Sequence, residues 1–294
     1  MSEVTCVAPV GDRVGEGAVW SEAEQAIYWT DINRFLIHRH DVASDSTRSF
    51  LFDEPVVALA LTSDPRTMLV ALGSRLIYWT PTTDARRDHG FALEGSPEVR
   101  LNDGRPDPRG DFWVGSMKNN VLPDGEMGEA GPGLGKLFRI RGGEAKVMAD
   151  GIGISNTLCW SPDKTRFYFA DTLDNVIRVY DCDADTGEIT NGRTFFAGDE
   201  RGLPDGSAID SEGCLWNCRF GGGCIIRIRP DGAIDRIIEM PAHNVTTCTF
   251  GGPDLRTLYI TTASILGQPG QRLAGSLFSL PVTVPGMPEN KVAL

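Results

Sequence analysis

The chain has 294 residues, of which 41% are hydrophobic and 23% are charged, and its formal net charge is −12. This composition allows a large core, and the absence of any run of about 18 apolar residues argues against a membrane-spanning helix. The acidic balance argues against nucleic-acid binding, because phosphate contacts need a basic surface. The first fifteen residues lack the basic and apolar regions of a secretory signal, so we expect a cytoplasmic protein without a membrane partner.

Six segments along the chain share one plan: a short strand, a polar turn, an aromatic-rich strand, and a third strand of alternating character. In chain order they begin with GEGAVW, VVALAL, RLNDGR, SNTLCW, PDGSAI and VTTCTF. Antiparallel units of about 40 to 55 residues each match the size of β-propeller blades. We therefore predict one all-β domain over residues 1–294, a six-bladed β-propeller with four-stranded antiparallel blades. A β-sandwich is the alternative, and the regularity of the repeats disfavours it.

The repeats also place polar residues in a common register. In each repeat, the residue five positions before the first residue of the turn that follows the first strand was selected. The six residues are Glu16, Ala58, Asn102, Asn156, Asp205 and Thr247. The first strands of propeller blades line the central channel, so these positions form a ring. Four of them carry a carboxylate or carboxamide oxygen, the donors that Ca²⁺, Mg²⁺ and Mn²⁺ prefer. The register predicts a metal site in the central channel, although such residues beside glycine are also ordinary turn formers.

Five motifs spread over nearly the whole chain resemble the gluconolactonase/regucalcin family, also called the senescence marker protein family. They read GEGAVW, RLNDGRPDPRGDFWVGSM, SNTLCWSPDKTRFYFADT, LPDGSAIDSEGCLWNCRFGG and TTCTFGGPDLRTLYITTA. The resemblance implies a six-bladed propeller that binds one divalent cation in its channel and hydrolyses a sugar lactone. It also implies that Glu16, Asn156 and Asp205 hold the metal and that Arg100 and Asn102 contact the substrate.

One position departs from the family pattern. Regucalcin-like members carry a glutamate where this chain has Asn120, within GSMKNN. The resemblance therefore assigns Asn120 to the substrate pocket but does not carry the family's preference among sugars over to this chain. The sugar lactone could be a pentono- or a hexonolactone, and the cation Ca, Zn, Mn, Mg or Fe.

Lactone hydrolysis requires a stabilised oxyanion and an activated water, and a cation with open coordination positions can supply both. A carboxylate near the bound water can accept its proton, and the resemblance makes Asp205 the candidate for both metal ligand and general base. The planar fork of Arg100 suits a sugar oxygen or developing charge. Lys118 and Arg219 lie near the predicted channel mouth, where we expect solvated side chains rather than substrate contacts.

Other chemistries find little support. The chain has neither a G-x-S-x-G elbow nor an HExxH pair, and GPGLGK lacks the first glycine of a phosphate-binding loop. Its seven cysteines form no CxxC pair, which favours reduced, packing thiols. The expected function is metal-dependent hydrolysis of an aldonolactone in carbohydrate catabolism. The alternatives are a non-catalytic Ca²⁺-binding regulatory or interaction propeller and a phosphotriesterase-like hydrolase, and the sequence leaves the oligomeric state open.

Overall fold

The structure, a computed structural model, describes residues 3–294, so Met1 and Ser2 of the predicted 1–294 domain lie outside it. The described chain forms 24 strands, β1 to β24, in six four-stranded antiparallel sheets. It contains no helix that could cross a membrane.

Blade 1 is formed by β2 (Gly15–Ser21), β3 (Ala26–Asp31), β4 (Leu36–Asp41) and β5 (Ser46–Leu51). Blade 2 is formed by β6 (Val56–Leu61), β7 (Met68–Leu72), β8 (Arg75–Thr80) and β9 (Ala85–Ala92). Blade 3 is formed by β10 (Val99–Pro106), β11 (Phe112–Lys118), β12 (Gly135–Arg141) and β13 (Glu144–Ile152). Blade 4 is formed by β14 (Ser155–Trp160), β15 (Arg166–Asp171), β16 (Val176–Cys182) and β17 (Ile189–Ala197). Blade 5 is formed by β18 (Leu203–Ile209), β19 (Leu215–Phe220), β20 (Cys224–Ile228) and β21 (Ile234–Glu239). The sixth is formed by β22 (Asn244–Gly251), β23 (Thr257–Ala263), β24 (Leu277–Pro281) and β1 (Thr5–Ala8).

The six sheets close into a ring. Each innermost strand, β2, β6, β10, β14, β18 or β22, packs against the innermost strands of the two neighbouring blades, and β22 returns to β2. The prediction of a six-bladed propeller with four-stranded antiparallel blades is therefore confirmed. The ring is completed by the N-terminal strand, because β1 pairs with β24 through Thr5 and Ser279 and supplies the fourth strand of the last blade.

Aromatic side chains fill the spaces between neighbouring blades. Trp79 of blade 2 meets Phe50 of blade 1 edge to face, with ring centroids 4.8 Å apart. Trp20 of blade 1 stacks on Tyr259 of blade 6 at 5.5 Å. Large rings bury much apolar area and prefer such stacked or edge-on contacts. The core is thus a set of clusters between the blades, which leaves the axis free for polar side chains.

Every innermost strand carries a bulge near the predicted ring position. In β2, for example, Glu16 pairs with Thr30 and Val19 with Tyr28, so two residues of β2 face one residue of β3. The same irregularity follows Leu101, Asn156, Pro204 and Val245, and a shorter one follows Val56. A bulge bends its strand and re-aims side chains, so these interruptions direct polar groups at the axis.

The last residues of the described chain cross one end of the propeller. Residues 285–294, here called the C-terminal strap, run past the turns that follow the innermost strands. Met287 N–H donates to the Ile209 carbonyl at 3.1 Å, and Val292 N–H donates to the Leu61 carbonyl at 2.8 Å. The strap therefore covers the end opposite to the predicted ring positions, which lie nearer the beginnings of their strands.

Candidate functional site

Two carboxyl groups from blades that are not neighbours meet on the axis. Glu16 lies in blade 1 and Asp205 in blade 5, with blade 6 between them, yet their side chains are within hydrogen-bonding reach of each other. Each residue is only 7% exposed. The shared register of these two positions therefore corresponds to a real convergence in the channel.

The electrostatics of this pair suit a cation. Burial raises the pKa of Glu16 to about 8, and the negative charge of Asp103 adds to the shift, while the Gly17 N–H opposes it. Burial also raises the pKa of Asp205 well above its ordinary value, with further contributions from Glu16 and Asp103. Carboxylates buried together are stabilised in their charged forms by a nearby positive ion. The oxygen donors and their unfavourable mutual charge both fit a divalent cation.

Asn156 is held beside this pair by a chain of hydrogen bonds. Its Nδ2 donates to Thr172 Oγ1 at 2.8 Å, and Thr172 Oγ1 donates to the Pro204 carbonyl at 2.7 Å, next to Asp205. Partners of this kind orient metal ligands. Within residues 3–294, no three His, Cys, Asp or Glu side chains are arranged to hold a metal ion. The candidate set instead takes its third donor from the Asn156 amide.

Arg100, Asn102 and Asn120 form one buried constellation next to the carboxyl groups. Arg100 donates through Nη1 to Asn102 Oδ1 at 2.7 Å and to the Leu101 carbonyl at 2.9 Å, and through Nη2 and Nε to Asn120 Oδ1 at 2.8 and 3.3 Å. Asn102 Nδ2 then donates to Asn156 Oδ1 at 3.3 Å. The predicted substrate and metal residues are therefore linked by direct contacts.

The hydrogen bonds of Arg100 all go to neutral oxygens. Burial lowers the pKa of Arg100 to about 10, and the negative charge of Glu16 opposes that shift. A guanidinium has five N–H donors, so four bonds leave one Nη2 hydrogen available. Arg100 can therefore remain charged and still donate to a ligand.

A loop from blade 3 reaches over to blade 1 at this end of the channel. In residues 119–134, between β11 and β12, the Gly125 and Glu126 carbonyls accept hydrogen bonds from Asn33 Nδ2 at 2.9 and 3.3 Å. Glu126 also forms an ion pair with Arg13. Asn120 begins this loop, so contacts with blade 1 help to fix its position.

Thr157 shows backbone strain beside the site. It directly follows Asn156 in the bulge and has a φ of 54°, in the left-handed region that β-branched residues avoid. Its hydroxyl donates to the Asp205 carbonyl and contacts Ser207 Oγ at 2.9 Å. These contacts hold the strained conformation and tie blade 4 to the strand of Asp205.

The expectation that Arg219 is solvated is wrong. It is 1% exposed and donates to the carbonyls of Asp199, Arg201 and Gly202 and to the amide oxygens of Asn175 and Asn217. Carbonyls of the loop before β18 converge on the guanidinium and replace its water. Lys118, by contrast, is half-buried at the end of β11.

Asp103 is the site residue that the register misses. It is 6% exposed and its charge acts on both Glu16 and Asp205. The register selects one residue per strand, whereas the bulge places both Asn102 and Asp103 opposite a single residue of β11. The signal in the sequence is the acid directly after Asn102, followed by a glycine.

Most of this chain matches one protein family. The model of the SMP-30/gluconolactonase/LRE-like region matches residues 14–264 of this chain. The chain belongs to that family.

Relatives resemble this chain over nearly its full length. A 6-deoxy-6-sulfogluconolactonase of Pseudomonas putida is 35% identical over 97% of this chain and 96% of its own length. A pentonolactonase of Haloferax volcanii is 31% identical over 97% of both chains. The crystal structure of regucalcin from Agrobacterium tumefaciens, described as a calcium-binding protein, superposes with a TM-score of 0.92 at 29% identity, covering 100% of this chain and 98% of that one.

We predict that the metal-free protein loses stability as the pH rises from about 4.5 to about 8. The unfolded chain ionises Glu16 near its ordinary pKa of 4.5, whereas the folded protein holds the proton up to about 8, so unfolding becomes easier across that window. Glu16→Gln removes this contribution and should flatten the pH dependence of the free energy of unfolding, measured by urea denaturation. Glu22→Gln, at an exposed position, is the control. Equal slopes in the parent and Glu16→Gln would contradict the prediction.

Proposed function

We propose that this protein is a metal-dependent lactonase that hydrolyses a pentono- or hexonolactone to its aldonic acid in carbohydrate catabolism. The observation that carries the proposal is the buried contact between Glu16 and Asp205 beside the guanidinium of Arg100. The names of the Pseudomonas and Haloferax relatives support a lactone substrate. The cytoplasmic location expected from the sequence stays a prediction.

Glu16, Asn156 and Asp205 would hold one divalent cation. Three protein ligands leave positions for substrate and water, and the bound cation would stabilise the oxyanion and acidify the water. The description of the Agrobacterium regucalcin as calcium-binding favours Ca²⁺. Zn, Mn, Mg and Fe are the other candidates that the activity assay must include.

The proposed reaction needs one group that accepts a proton from the attacking water and hydrogen-bond donors that hold the substrate. The Asp205 carboxylate takes a proton from the water while the water oxygen attacks the carbonyl carbon of the lactone. When the ring C–O bond breaks, the same proton passes to the departing ring oxygen, so that acid and alcohol are both formed. Arg100 donates its remaining Nη2 hydrogen to a substrate oxygen, and Asn120 Nδ2, which has no acceptor within residues 3–294, orients a sugar hydroxyl.

A non-catalytic calcium-binding propeller is the second candidate. The match to a structure described as a calcium-binding protein favours it. The two candidates differ in turnover, since a binder would retain the cation and leave every lactone intact.

We expect chelation to abolish lactone hydrolysis and added divalent cation to restore it. The cation supplies charge stabilisation that the buried carboxyl groups cannot provide. The measurement is initial hydrolysis rates over a panel of lactones, with metal content determined on the same samples. Full activity in protein shown to be metal-free would rule out the metal mechanism.

Asp205→Asn should lower kcat by about 10²- to 10⁴-fold, the usual contribution of a general base. The amide keeps one ligand oxygen and the size of the side chain but accepts no proton at neutral pH. Asn156→Asp is the matched contrast, because it retains an oxygen donor and adds charge, and it should change metal affinity more than kcat. Rates must be compared at equal metal occupancy. If metal-loaded Asp205→Asn works within a few-fold of the parent, another group accepts the proton.

Asn120→Glu should change the ranking of lactones by kcat/KM. A carboxylate at this position would form an ion pair with Arg100 and exchange an amide donor for an acceptor toward the sugar. Asn120→Gln controls for side-chain length without adding charge. An unchanged ranking over pentono- and hexonolactones in Asn120→Glu would remove Asn120 from the substrate pocket.

A further inference from the structure

The C-terminal strap places a carboxylate inside the channel end that it covers. Glu289 Oε1 accepts a hydrogen bond from Thr249 Oγ1 at 2.6 Å and lies 3.7 Å from Arg105 Nη1. The side chains of Arg105 and Glu289 are each 15% exposed. Arg105 is fixed further by donation from Nη2 to the Cys248 carbonyl at 3.0 Å. Glu289 and Arg105 therefore form a largely buried ion pair, held by blade 6.

Arg105 connects this ion pair to the candidate metal centre. It lies on β10, two residues after Asp103. Burial raises the pKa of Asp103, and the positive charge of Arg105 opposes that shift whereas the negative charge of Glu289 adds to it. The Arg105 guanidinium also reaches from blade 3 across the channel to the Cys248 carbonyl of blade 6, one residue after the ring position Thr247. The charges at the strap end thus act on the carboxyl groups at the axis.

We propose that Glu289 is a positioning residue that limits how much of the positive charge of Arg105 reaches Glu16 and Asp103, and thereby sets the affinity of the channel for a divalent cation. This inference rests on the proposed function, because it takes Glu16, Asn156 and Asp205 as the cation ligands. Glu289 does not touch the cation; it acts through Arg105.

The proposal predicts effects of opposite sign for the two members of the ion pair. Without the charge of Glu289, Arg105 faces the site unopposed and repels a cation. Without the charge of Arg105, Glu289 and Asp103 attract a cation more strongly. A residue that served only to pack the strap would weaken binding whichever partner was changed.

The test is calcium or manganese titration of the chelator-treated protein, residues 1–294, by calorimetry. Glu289→Gln keeps the shape and the acceptor for Thr249 and should weaken cation binding by about tenfold. Arg105→Gln should strengthen binding, and the double variant, in which the charge balance is restored, should bind within a few-fold of the parent. Such a rescue is not expected from two independent packing defects.

Asn290→Ala is the matched control, because it removes a neighbouring strap contact, from Asn290 Nδ2 to the Pro106 carbonyl at 3.1 Å, without changing charge. It should leave cation affinity unchanged. If Arg105→Gln does not fold, Glu289→Gln against Asn290→Ala still decides the question. Two outcomes overturn this inference but not the proposed function. One is an equal loss of cation affinity in Glu289→Gln and Asn290→Ala; the other is an unchanged affinity in Glu289→Gln while the parent binds the cation. A parent that binds neither of these cations, and none of Zn, Mg and Fe in the same titration, overturns the proposed function as well.

Discussion

The contact between Glu16 and Asp205 across the axis is the constraint on which the site depends. Two acids from blades 1 and 5 can meet only if the innermost strands approach closely, and a glycine directly after each acid allows this. A Cβ on Gly206 would lie 2.0 Å from Thr247 Oγ1, and one on Gly17 would lie 3.3 Å from the Ala58 Cα. The pattern of acid then glycine therefore supplies a charged group and permits the packing that brings the charges together.

The closed ring of blades makes that unfavourable charge arrangement possible. Burying like charges side by side costs several kcal/mol unless a counter-charge is present. The aromatic layers between blades, such as Trp79 against Phe50, stabilise the scaffold independently of the axis. Because the core and the site occupy different places, the channel can hold strained and charged groups without unfolding the propeller, as the left-handed backbone of Thr157 shows.

The fold was predictable because each blade is encoded locally, by alternating strands and turns within one repeat. The closure of the last blade by β1 was not predictable. Thr5 pairs with Ser279, and nothing in the short N-terminal segment specifies a partner so distant in sequence. At the site, the register selected Glu16 and Asp205, but Asp103 enters through a bulge, and a register of single positions cannot represent that. Arg219 was misjudged because its partners are mainly carbonyls of the loop before β18, and the sequence does not show which way backbone carbonyls point.

Strand β10 shows why residue type alone does not assign a role in the channel. β10 carries Arg100 near its start and Arg105 near its end, on the side of the C-terminal strap, with Asp103 between them. Both arginines are largely buried, yet Arg100 bonds only to neutral oxygens whereas Arg105 faces the carboxylate of Glu289. A charge without a charged partner stays available to a ligand, and a paired charge is largely cancelled at a distance. The partners of each arginine therefore give the strand two ends of different character: Arg100 keeps a donor available to a ligand, whereas the charge of Arg105 is compensated, and Asp103 lies between them.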